Sequence, residues 1–156
     1  MPATSKTMAA AAALIDEKHQ AVALNTAQRL QLLDPYRAKH LELPDLLGRL
    51  PRMLTIVSTT FREGFIPERF TPAGTFHAVI VEHARLRHEQ GLTAGPVAWE
   101  YHTLRQEIWS VLQHELLRRF PAAPAADVFQ LSAVLDQILD QFIGSTVTFF
   151  GTIVAR

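Results

Sequence analysis

The chain contains no cysteine in its 156 residues. Disulfides, thiolate nucleophiles and cysteine-ligated zinc are therefore excluded, and the composition suits a reducing cytoplasm, where we expect the protein to reside. It also lacks net charge, because 15 Lys and Arg are matched by 15 Asp and Glu. A general nucleic-acid binder draws its affinity from a basic footprint that this balance does not supply, so no nucleic-acid partner is expected. No uninterrupted apolar run approaches the roughly 18 residues of a membrane span. The nearest, "FIGSTVTFFGTIVA", is short and is broken by Ser, Thr and Gly. "SKTMAAAAALIDEKH" runs straight from alanines into charged residues with no cleavage region, and reads as the start of a helix rather than a signal peptide.

Catalytic and metal-binding patterns are equally scarce. None of the seven histidines lies three or four residues from another, so no single helix offers a two-histidine metal face. There is no nucleophile-elbow glycine pattern and no glycine-rich phosphate loop. We expect no enzyme, no metal site and no bound cofactor. His19, with Asp16 three residues before it, reads as a surface residue, and His102 and His114 fall off the apolar stripe of their helix.

What is present is helical periodicity in a globular composition, 48% apolar and 19% charged. The expected fold is an all-α single-domain bundle of about five main helices spanning residues 1–156, with a globin-like arrangement as an alternative. The first helix is expected over Ser5 to Leu33, ending before Asp34-Pro35. A second begins at Pro44 and runs to Gly64; Pro51 inside it predicts a kink, or a short helix and a fresh start. "GFIPERFTPAG" connects to a third, Thr75 to Gln90, stopped by Gly91. Thr93 is a natural N-cap for a fourth, to about Phe120, and after "PAAPAAD" a fifth runs from about Ala126 towards the end.

Polar residues on apolar faces carry the most information. On the third helix Phe76, Val79, Ile80 and Leu86 mark the buried stripe, with His83 in its middle and Arg87 and Gln90 on the same face. On the fourth, Val97, Tyr101, Leu104 and Ile108 form the stripe, and Arg105 falls inside it. The short turn between these helices predicts an antiparallel pair, with His83 level with Tyr101, Arg87 near Val97 and Arg105 facing Val79 and Ile80. A buried guanidinium must be paired; Glu100 and Glu82, at the edges of their stripes, and Glu115 lower down are the candidate partners. Two readings follow. In one, the arginines pair with the glutamates while His83 and Tyr101 exchange a hydrogen bond. In the other, His83, Arg87, Tyr101, Arg105, Glu100 and Glu82 line a pocket for a small anionic ligand. His83 as a proximal haem ligand is a third, weaker alternative, since a lone histidine on an apolar face is more often a core residue.

The last helix is apolar on more than one side. Val128, Leu131, Leu135, Ile138, Phe142 and Phe149 follow three-four spacing, with Ser145 at the missing step, while Ile143, Val147, Phe150 and Val154 lie opposite. Gly144 and Gly151, seven residues apart, would permit close approach of a second helix. Either this is a central core helix, or Leu135, Ile138, Phe142, Gly144, Phe149 and Gly151 belong to a homodimer seam and output helix.

The segment "EHARLRHEQGLTAGPVAWEYHTLRQEIW" resembles the hallmark region of the RsbRD-type N-terminal domain, found in stressosome RsbT co-antagonist proteins and ahead of bacterial sensor histidine kinases. In that family a histidine- and arginine-bearing helix ends in a Gln-Gly-hydrophobic-Ser/Thr turn, and a helix with Glu-Tyr-x-x-Leu-Arg follows. Here the matching positions are His83, Arg87, Gln90, Gly91, Leu92 and Thr93, then Glu100, Tyr101, Leu104 and Arg105. "LIDEKHQAV" and "LGRLPRML" fit the same pattern, whereas Asn25-Thr26 stand where the family often has tryptophan. The resemblance implies an all-helical sensory or regulatory input domain, linked to a C-terminal output or partner module in a longer protein.

Overall fold

A computed structural model describes residues 5–154, all of whose regular structure is helical. Five long helices form the bundle: α1 (Lys6–Gln31), α4 (Leu50–Glu63), α5 (His77–Glu89), α6 (Ala94–Val111) and α8 (Ala125–Val154). Between them lie the short α2 (Asp34–Arg37), α3 (Leu43–Leu47) and α7 (Leu117–Arg119), and a 3₁₀ turn at Pro67–Phe70.

Ser5 caps α1 by accepting the Met8 amide at 3.1 Å. The buried side of α1 is rich in small residues, including Ala11, Ala12, Ala23 and Ala27, which lets α4 and α6 approach closely. α1 makes the most extensive helix contacts in the bundle, chiefly with α4, α6 and α3. Thr26 is fully buried and donates its hydroxyl to the Val22 carbonyl at 2.8 Å.

The proline inside the second predicted helix starts a new one. Pro51 lies in the first turn of α4, where its missing N–H is not needed, and α3 ends just upstream at Gly48. Gly48 has φ +46°, and a Cβ there would meet Leu86 Cδ2 at 2.9 Å. The break therefore favours glycine for its conformation, and the end of the Leu86 side chain of α5 packs closely over it.

The α5–α6 turn closes as expected: Gly91 is left-handed (φ +85°), and the Leu92 amide bonds the Arg87 carbonyl at 3.0 Å. Thr93 holds the N-cap position of α6, although its side chain makes no capping bond. The two helices lie beside each other as the short turn predicts, His83 and Arg87 of α5 both bonding Glu100 of α6, and both pack along α8. Past Val111 the helix widens into a π segment, Leu112–Leu116, in which Leu112 and Leu116 are both buried.

Along α8 the buried stripe is Leu131, Val134, Leu135, Ile138, Leu139, Phe142, Thr146 and Phe150. It covers α5, α6 and part of α4. Phe150, placed by periodicity on the opposite side, belongs to this core, and Phe149 is only half-buried.

Candidate functional site

Glu100 is the centre of a polar node sealed inside the bundle. Its carboxylate receives His83 Nε2 at 2.7 Å, the Tyr36 hydroxyl at 2.6 Å, and Arg87 through Nε at 3.0 Å and Nη2 at 2.9 Å. His83, Arg87 and Glu100 are all 0% exposed. Tyr36 Oη also lies 3.1 Å from the Pro96 carbonyl, but its one proton is best used on the charged acceptor.

Arg87 spends every donor on protein. Besides Glu100, Nη1 bonds the Asp45 carbonyl at 3.1 Å and Gln90 Oε1 at 2.9 Å, and Nη2 bonds the Leu46 carbonyl. Gln90 Nε2 adds a bond to the same Asp45 carbonyl at 3.0 Å. Those carbonyls are the orphan acceptors at the end of α3, so Arg87 acts as a C-terminal cap brought in from another helix. Gly48 lies alongside it: a Cβ there would be in ordinary van der Waals contact with Nη1, at 3.7 Å. With five donors engaged, the guanidinium has none left for an anionic ligand.

The electrostatics follow from burial opposed by pairing. Burial by itself would raise the Glu100 pKa, but the charges of Arg87 and His83 and their hydrogen bonds hold it well below the ordinary carboxylate range. Burial pushes His83 below its usual value, with Glu100 acting the other way. Burial likewise works against the Arg87 charge, and Glu100 more than offsets it. Burial, then the neighbouring carboxylate, drives the Tyr36 and Tyr101 phenols far above their usual range. At neutral pH the node thus holds one anion, one cation and neutral partners.

Tyr101 follows Glu100 in sequence but turns to a different helix. Its hydroxyl shares a 2.8 Å bond with Thr146 Oγ1, and its ring lies 5.6 Å from that of Phe142, both on α8. The His83 and Tyr101 rings are near each other at 6.2 Å, yet the expected hydrogen bond between them is not made. Two further contacts hold the end of α8 to α5: the Arg85 guanidinium sits 5.7 Å from the Phe149 ring centre, and His88 packs edge-on against Phe150 at 5.8 Å.

Two residues assigned to this cluster from the sequence lie outside it. Arg105 is 47% exposed and pairs with Asp136 of α8 at 2.8 Å. It sits at the edge of the buried arc, and its long side chain carries the charge out to water. Glu82 is on the surface, near Arg52 at 3.2 Å and Arg49 at 3.6 Å, and takes no part in pairing Arg87. Glu115 pairs with Arg118 and Arg119 at the surface. Tyr36 was missed by sequence reading; its only signal was an aromatic residue in a proline-bearing turn. The α3 carbonyls leave no mark in a side-chain pattern at all.

Leu135, Ile138 and Phe142, candidates for a dimer seam, are buried inside the monomer. The outward stripe of α8 instead reads Gln137, Asp140, Gly144, Val147, Gly151 and Val154, alternating steps of three and four. Val147 is 50% and Val154 85% exposed, and a Cβ on either glycine would meet nothing within 4 Å. Beside this stripe, α6 and α8 border two adjoining grooves of about 260 and 370 Å³ that share His102 and Arg105. A third, of about 400 Å³, lies between Leu33, Pro35, Pro96 and the exposed Trp99. Among the described residues, no helix is long and apolar enough to cross a membrane, and no group of three or more His, Asp or Glu side chains could hold a metal ion.

Compared with known proteins, residues 34–151 match the family described as the RsbT co-antagonist protein rsbRD N-terminal domain. The match begins at α2, takes in every residue of the node and leaves all of α1 outside. No curated protein and no solved structure matches the chain. The chain belongs to the rsbRD N-terminal domain family, a family of stressosome-type regulatory domains.

Proposed function

We propose that this member of the rsbRD N-terminal domain family is a non-enzymatic signal-input domain that acts through its last helix. In this reading it works in the cytoplasm as a homodimer and passes a stimulus to an output module, of the kind carried by a sensor histidine kinase or a stressosome regulator. One observation carries the reading. Glu100 and Tyr101, adjacent on α6, bind different sets of helices: Glu100 gathers α2, α5 and, through Arg87, α3, while Tyr101 holds α8 through Thr146 and Phe142. A stimulus that rearranges the first set acts one residue from the grip on α8. Such a switch needs two arrangements that the stimulus favours unequally.

The outward face of α8 supports self-association. Gly144 and Gly151 each cost a helix about 1 kcal/mol relative to alanine. Neither has an unusual φ or a close neighbour that would require glycine. Close approach of a second α8 would account for both.

The lack of native cysteine makes a clean test available. A spin label on Val154→Cys reports the separation of the two α8 ends in a dimer. Glu100→Gln is expected to shift or broaden that distance distribution. An unchanged distribution in a folded variant removes the transmission reading, and a monomer at all concentrations removes the dimer.

A further inference from the structure

We propose that His83 is an acid-sensitive latch: its neutral ring closes the node between α5 and α6, and its protonation opens it. The geometry assigns the tautomer. Glu100 Oε1, 2.7 Å from Nε2, belongs to a carboxylate that can only accept, so Nε2 carries the proton. Nδ1 is then a bare acceptor, buried and without a hydrogen-bond partner. A proton added there creates a buried N–H with nothing to receive it.

The surrounding charges point the same way. On α6, Glu100 is the one carboxylate of the node, and Arg87 of α5 already balances it. Arg49, which precedes α4, adds a repulsive positive charge, with Arg52 and Glu82 further out on the surface. From α2 the Tyr36 hydroxyl occupies the other carboxylate oxygen, and α3 contributes carbonyls that are already bound to Arg87. Through Tyr101, α8 adds the uncharged Thr146 and Phe142. A second buried cation would leave the node with net positive charge. Acid therefore favours any state in which His83 reaches water, and α5, which carries both His83 and Arg87, is the element that must move.

The latch deepens the reading of the node above and rests on that reading only for its consequence at α8. Hydrogen exchange on the full chain, compared between about pH 7.5 and about pH 5.5 and corrected for intrinsic rates, tests it. Protection in α5 is expected to fall about tenfold more than in α1 and α4. His83→Gln, which keeps a donor for Glu100 but does not titrate, is expected to abolish that difference. Nitrogen NMR of the wild-type imidazole serves even if the variant does not fold, and should show the Nε2–H tautomer at the higher pH. Uniform loss of protection across all helices, or a protonated His83 ring with α5 protection intact, overturns the latch. Opening of α5 while the Val154→Cys label distances stay fixed supports the latch and sinks the transmission reading.

Discussion

Arg87 and Arg105 look alike in sequence, each an arginine in the apolar stripe of its helix, and the fold treats them oppositely. Arg87 is 0% exposed and has all five donors engaged across α3, α5 and α6. Arg105 is 47% exposed and makes one ion pair to α8. The difference lies in what surrounds each position. Arg87 sits where a helix ends in unpaired carbonyls and a buried carboxylate waits, so burial is offset by a complete set of acceptors. Arg105 has water within reach of its side chain, and the cheaper solution is to leave the core.

This contrast can be broken most severely at Arg87. Arg87→Ala strands the Glu100 carboxylate and the α3 carbonyls, and should lower unfolding free energy in urea by about 3–5 kcal/mol. Tyr36→Phe removes a single bond to the same carboxylate and should cost about 1.5–3 kcal/mol in the same assay. By contrast, Arg105→Ala should cost under about 1 kcal/mol, and a double-mutant cycle with Asp136→Ala should return a coupling of about 0.2–1 kcal/mol. A larger coupling at Arg105 would mean that the surface pair is structurally equivalent to the node after all.

Acid sharpens the same comparison. The folded-state pKa of His83 lies below its ordinary 6.5, so the unfolded chain takes up a proton first and stability declines as pH falls through about 6.5. Glu100 lies below its ordinary 4.5; its contribution is complete above that value and is lost as pH falls further. Urea midpoints measured against pH should therefore drop in two stages, with the first missing in His83→Gln. The smallest effect is expected on the outer face. Gly144→Ala should stabilise a monomer by up to about 1 kcal/mol while weakening self-association in sedimentation equilibrium. If it stabilises and leaves association unchanged, the glycine seam is not the contact.

Much of the fold was legible because proline and glycine punctuate it. Pro35, Pro51, Gly91 and the "PAAPAAD" stretch mark real breaks, and five main helices follow from them. His83, Arg87, Glu100 and Tyr101 were legible as polar or amphipathic residues on or beside buried stripes. Tyr36 was not, because a four-residue helix has no periodicity to reveal a buried face. The short α5–α6 turn did place His83 level with Tyr101, whereas the seating of both helices against α8 depends on contacts remote in sequence.

By itself the sequence determined where helices start and stop and which polar side chains would be drawn inward, because dihedral preference and hydrophobic spacing act along one chain segment. Only the tertiary structure decided who pairs with whom. It placed Glu100 rather than Glu82 against Arg87, sent Tyr101 to Thr146 rather than to His83, and divided α8 into a core side and an open one. A helical wheel gives a side chain's direction about its own axis. The acceptor it finds, and whether water competes for it, depend on segments far away in sequence.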